Sequence, residues 1–133
     1  MRTILQAAAF SLVFAFGADA QQTDIEATIS RQIEAFKVDD FGTAFSFASP
    51  DLQRYFGSPE TFGRMVTQGY PMVWRPADVR YLDLREEGGV YWQKVQITDL
   101  KGGFHILEYR MVQTDAGWRI SGVQVLDAPG ASV

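Results

Sequence analysis

The sequence predicts an α+β domain: three N-terminal helices packed on a curved, four-stranded antiparallel sheet. Three observations carry that prediction. First, Phe104–Gln113 and Trp118–Leu126 alternate in polarity on either side of the turn-forming Thr114-Asp115-Ala116-Gly117. Second, Asp78–Arg85 and Gly89–Thr98 alternate likewise, and the connections Glu86-Glu87-Gly88 and Leu100-Lys101-Gly102-Gly103 have hairpin chemistry. Third, the apolar spacing between residues 23 and 69 is helical. Helices followed by a meander place the helical layer on one sheet face.

The chain opens with residues that read as a signal peptide, 1–20. Arg2 supplies a basic start, Ile4–Phe16 a short apolar run, and Ala18-Asp19-Ala20 a small-x-small cleavage pattern. That run is too short to span a bilayer, and no later stretch is long enough, so no membrane span is expected. Cleavage near Ala20 would deliver the protein to the periplasm or the exterior. The single domain is then expected over 21–127, with 128–133 as a frayed polar tail. The absence of cysteine excludes a disulfide framework, a thiolate metal site and a cysteine nucleophile. A net charge of −4 without a basic stripe argues against nucleic acid as a partner.

Thr23-Asp24-Ile25-Glu26 fits a capping box, and Ile25, Ile29, Ile33 and Phe36 form one apolar stripe behind it. Asp39 and Asp40 break the pattern and predict the cap of a shorter second helix ending at Ser49-Pro50, with one further turn over Asp51–Phe56. Ser58, Pro59 and Glu60 predict a third helix, which Gly69 stops. Tyr70-Pro71-Met72-Val73-Trp74-Arg75-Pro76 reads as an extended crossing to the sheet, held by its prolines, with Trp74 as a buried anchor. In the last strand the phase slips at Gly122, which predicts a bulge that returns Val123 and Val125 to the buried face.

The order of these elements, the crossing segment and the closing Gly117-Trp118-Arg119-Ile120-Ser121-Gly122-Val123 resemble the nuclear transport factor 2-like superfamily. More narrowly, Phe47-Ala48-Ser49-Pro50 and Gly69-Tyr70-Pro71-Met72-Val73-Trp74-Arg75-Pro76 resemble a domain of unknown function found in short exported bacterial proteins. The broad resemblance implies a cone-shaped fold in which a curved sheet wraps the helices. It includes enzymes, ligand binders and dimerisation modules, and so sets options without deciding between them.

Sorted by face, the strands place Leu82, Leu84, Tyr91, Gln93, Val95, Ile97, His105, Leu107, Tyr109, Met111, Trp118 and Ile120 towards the helices. This apolar face carries a few polar tips, the pattern of a ligand pocket and equally of a filled core. The expected ligand-binding residues are Tyr70, Trp74, Tyr91, Gln93, His105 and Tyr109. The expected function is non-catalytic binding of a small apolar or aromatic molecule. Two alternatives stand beside it. One is an acid–base enzyme of the isomerase, cyclase or dehydratase kind, working through Asp40, Tyr70, Tyr109 or His105. The resembling enzymes commonly place a carboxylate base inside the cone, whereas this inner strand face carries none. The other is a homodimeric interaction module using the outer sheet face, where Trp92, Ile106 and Val112 lie among Lys94, Glu108, Arg110 and Arg119. His105, the sole histidine, has no orienting acid on its own face, and the scattered carboxylates lack metal-ligand spacing. No metal or other cofactor is expected.

Overall fold

A computed structural model describes residues 17–126; the expected leader run Ile4–Phe16 and the tail 128–133 lie outside the described residues. Five helices precede four strands, where three helices were expected: α1 (Gly17–Lys37), α2 (Phe41–Ser46), α3 (Pro50–Phe56), α4 (Pro59–Gly69), α5 (Pro71–Trp74), β1 (Asp78–Glu87), β2 (Val90–Thr98), β3 (Phe104–Thr114) and β4 (Gly117–Leu126). The strands form one antiparallel sheet in the order β1-β2-β3-β4.

The differences from expectation are local. Helix α1 already runs at Gly17, so Thr23 and Glu26 lie inside it and form no capping box. Helices α2 and α3 are separate: α2 ends at Ser46 with Phe47 as its cap, and Ser49 caps α3, accepting from the Leu52 N–H with Pro50 at the first helical position. The crossing segment is not extended. Pro71 begins the helical turn α5, because a proline at the first helical position forfeits no hydrogen bond. The caps of α2 and α4 are as expected: Asp40 accepts from Thr43 N–H and Ser58 from Thr61 N–H.

The core lies between the inner sheet face and helices α1, α2 and α4. Ile25, Ile29, Ile33 and Phe36 of α1 are all buried, and they face Val95, Ile97, Leu107, Tyr109, Met111, Trp118 and Ile120. Two bulges set which side chains reach that core. In β4, Arg110 pairs with Gly122 but Met111 with Ile120, so the predicted bulge is present and Val123 turns inward opposite Tyr109. Val125 follows the same phase but remains exposed. In β1 an unforeseen bulge lies between Tyr81 and Leu84. It removes Leu82 from the inner face and installs Val79 and Tyr81, whose partners on β2 are the buried Ile97 and Val95. Tyr81 then donates to the Glu26 carbonyl at 3.2 Å and meets Ser30 Oγ at 2.5 Å. Burial pushes its phenol up.

Strand β4 is an edge, and the α2–α3 link covers part of it. Ser49 N–H donates to the Ile120 carbonyl at 2.8 Å, and Ile120 N–H to the Phe47 carbonyl at 2.9 Å. This short parallel bridge hangs α3 beside the sheet, above Gly122 and Val123. It also satisfies backbone groups that an open edge would leave unpaired.

Candidate functional site

Between α1, α3, α4, α5 and the β3–β4 half of the sheet lies a cavity of about 380 Å³. The α1 stripe contributes Phe36 and also Gln32, which falls in phase with Ile25, Ile29 and Phe36. Helix α4 turns Phe62, Met65 and Val66 into it, Tyr70 joins from the link to α5, and α5 adds Val73. The sheet supplies Tyr109, Ile120 and, through the β4 bulge, Gly122 and Val123. Helix α3 forms the remaining wall with Leu52, Tyr55 and Phe56. It buries no residue of its own, and Tyr55 stands 80% exposed at the rim.

The chemistry of this lining is narrow. Gln32 is buried and donates from Nε2 to the Ala44 carbonyl at 3.1 Å. Tyr109 is completely buried, and its hydroxyl has no hydrogen-bond partner among the described residues. Burial first, and then the neighbouring phenols of Tyr81 and Tyr70, push the Tyr109 phenol up. It is a protonated hydroxyl at any physiological pH. An unpaired buried polar atom costs about 1–3 kcal/mol, so a hydroxyl left unpaired on a residue that lines a cavity calls for a partner.

Of the six residues expected to bind ligand, the structure brings Tyr70 and Tyr109 to the cavity and places the other four outside its lining. Gln93 is buried beneath the β1 bulge. Its Nε2 donates to the carbonyls of Leu82 at 3.0 Å and Lys94 at 2.9 Å, holding the distorted strand. Tyr91 packs edge-on against Trp118 and donates to Gln21 Oε1 at 3.3 Å, linking the sheet to the start of α1.

Trp74 is half-buried, not the fully buried anchor expected; Val73 beside it takes the core position. Its indole donates to Asp39 Oδ1 at 2.8 Å. His105 does have an acid, contrary to expectation: Nε2 lies 2.7 Å from Asp99 Oδ2. Asp99 starts the β2–β3 turn, and its other oxygen accepts from Lys101 and Gly103 N–H. That turn chemistry, Asp followed by Gly-Gly, was the available signal.

The two other carboxylates weighed from sequence are occupied by structure. Asp40 caps α2, and Asp39 holds Trp74 and Arg75; neither lines the cavity. On the outer face, Arg85 reaches from β1 to the buried Glu108 of β3 at 3.1 Å and lies over the Trp92 ring. Among the described residues no group of His, Asp and Glu has the grouping of a metal site, and no helix is long and apolar enough to cross a membrane.

The model of a domain of unknown function, DUF4864, matches residues 18–133. The chain belongs to that family. The fold of this DUF4864 domain is shared by solved structures of low sequence identity. An NTF-2-like protein of unknown function from Shewanella oneidensis MR-1 is 12% identical with a TM-score of 0.53, over 80% of this chain and 98% of that one. A SEC-C motif containing protein from Rhodopseudomonas palustris is 15% identical with a TM-score of 0.52, over 71% of this chain and 72% of that one. At such identities the likeness is one of fold, which is NTF-2-like as the sequence resemblance implied. No curated protein matches the sequence.

Proposed function

We propose that this DUF4864 domain is an exported, non-catalytic binder of a small apolar or aromatic molecule, held in the cavity between α3, α4 and the β3–β4 hairpin. One observation carries the reading: a cavity of about 380 Å³ with a mostly apolar lining, one of whose residues, Tyr109, is completely buried with a hydroxyl that has no partner among the described residues. That volume falls within the range of roughly 300–1,000 Å³ typical of small-molecule sites. The lining side chains are apolar, phenolic or amide in kind. Such groups suit holding a molecule better than moving its protons.

Native mass spectrometry of the protein purified from its own host tests this. The expected result is a population carrying a small-molecule adduct. Val123→Phe, which fills the cavity from the bulged strand, should abolish the adduct while leaving the unfolding midpoint near that of the parent. An adduct that survives Val123→Phe in the folded protein would place the binding site elsewhere.

A further inference from the structure

We propose that the cavity selects uncharged, ring-bearing molecules that present a hydrogen-bond acceptor to Tyr109. This rests on the binding reading above and names the chemistry of its ligand. The argument begins with charge. Among the described residues no Lys, Arg, His, Asp or Glu contributes to the lining. The charged side chains next to lining residues are engaged elsewhere: Arg75 with Asp39 and the Phe36 carbonyl, Arg119 with the Trp118 carbonyl, Arg110 with Ser121, and Arg54 with Asp51. An ionised group carried into this space would lose hydration and gain no counter-charge from the lining. An uncharged molecule meets no such penalty.

Shape and polarity narrow the class further. Phe36, Phe56, Phe62, Tyr70 and Tyr109 present rings to the space, and rings favour offset or edge-on contact with another ring. The Tyr109 hydroxyl is the one completely buried polar side-chain atom of the lining that lacks a partner among the described residues. A phenol held protonated by its surroundings is a donor first, so the complementary ligand atom is an acceptor oxygen or nitrogen. The other unpartnered atom, Oε1 of its register partner Gln93, lies outside the lining and is itself an acceptor. A buried water bridging the two side chains is therefore the competing occupant.

Three probes of matched size separate these outcomes: acetophenone, ethylbenzene and benzoate, titrated into the full domain and followed by the methyl resonances of Met65, Val66, Ile120 and Val123. Acetophenone should bind about tenfold or more tightly than ethylbenzene, the effect of one satisfied buried donor. Benzoate should not bind. Tyr109→Phe should leave ethylbenzene unchanged and bring acetophenone down to its level. If ethylbenzene equals acetophenone in the parent, Tyr109 is satisfied by water; the inference then falls while the binding reading stands. If benzoate binds as well as acetophenone, the selection against charge is wrong. If none of the three moves those methyls, both readings fall.

Discussion

The Trp74 indole and the Asp39 carboxylate meet at 2.8 Å across 35 residues of sequence, and Arg75 donates to the same carboxylate oxygen at 3.1 Å. Asp39 sits at φ 57°, a left-handed conformation that Asp tolerates better than most residues. The turn after α1 is thus clipped to the segment that enters the sheet. Both donors hold the Asp39 carboxyl below its usual range, the indole foremost. Arg75 also stacks over the indole, 4.3 Å from its centroid. The clip positions Val73 and Tyr70, and through them one end of the cavity.

Truncating this clip should loosen the whole helical layer. Trp74→Ala should destabilise by about 2–3 kcal/mol, below the range for a fully buried tryptophan because the ring is half-exposed. Trp74→Phe keeps most of the packing and loses only the donated hydrogen bond, so its loss should be smaller. Urea unfolding of both variants checks the order. Equal losses would mean that the hydrogen bond, not the ring, carries the effect.

Gly63 makes a sharper packing test. It lies inside α4, where alanine would ordinarily gain about 1 kcal/mol of helix propensity. Here a Cβ would stand 2.8 Å from the Phe41 ring. The atoms met include Cγ at the root of the Phe41 ring, so relief requires the whole ring to shift and not only its far edge. Overpacking of this kind costs about 1–3 kcal/mol. Gly63→Ala should therefore lower the melting temperature, and Gly63→Ala with Phe41→Leu should recover part of the loss.

Much of this architecture was legible because each signal was local. The Ile25-Ile29-Ile33-Phe36 stripe, the Ser58-Pro59 start and the Gly122 bulge depend on neighbours within one turn or one pleat. What escaped were features set by distant contacts. The β1 bulge has no glycine to announce it; Gln93 on the next strand stabilises it by bonding the Leu82 carbonyl. Gln32 is polar by type, yet its helical phase puts it on the buried stripe, where it bonds the Ala44 carbonyl of the next helix. The α3 wall of the cavity depends on the Ser49–Ile120 bridge, a pairing that no periodicity encodes. The place of Tyr109 in the cavity lining follows from the inner-face phase of β3, and that of Tyr70 from the aromatic segment between helices and sheet.

The Asp99–His105 pair predicts a pH signature. The His105 hydrogen bond, followed by the Gly103 N–H, holds the Asp99 carboxyl below its ordinary value. With the folded value depressed, the contribution to stability is fully present above the unfolded value of about 3.9 and is lost as pH falls through the folded one. The Asp99 carboxyl-carbon resonance should titrate with a midpoint below about 3.9. His105→Ala removes the largest cause and should move the midpoint back up. A midpoint that ignores His105→Ala would assign the shift to the turn amides instead.

Export makes a prediction at the start of α1. Asp19 and Ala20 are exposed, whereas Gln21 is half-buried and accepts from Tyr91, and Ile25 is completely buried. Cleavage after Ala20 would remove the exposed Asp19 and Ala20 and keep the residues that join the helix to the sheet. It would also bring Thr23 close to the new helix start, where its capping box could act. N-terminal sequencing of the protein from its host should read Gln21 first. Retention of Met1 or Thr3 on the major species would contradict the export reading.

The buried Tyr109 hydroxyl predicts an unusual stability result. Removing a buried group normally costs stability, since it deletes contacts and leaves a void. Here the oxygen is desolvated and has no partner among the described residues, so the folded state without ligand bears its desolvation cost. Tyr109→Phe deletes that cost and keeps the ring against Val123 and Gln93, its partners in register. The ligand-free variant should be as stable as the parent or more so, by up to about 1 kcal/mol. Tyr109→Leu, by contrast, gives up ring volume and should lose about 1–3 kcal/mol, as shape-changing core substitutions do. Urea unfolding after complete removal of bound small molecules checks both. The comparison must then be repeated on protein carrying its native occupant, where the order should reverse: the parent gains from a satisfied phenol, and Tyr109→Phe does not. A Tyr109→Phe variant less stable than the ligand-free parent would show that the hydroxyl is already hydrogen-bonded, and the strongest support for the binding reading would be gone.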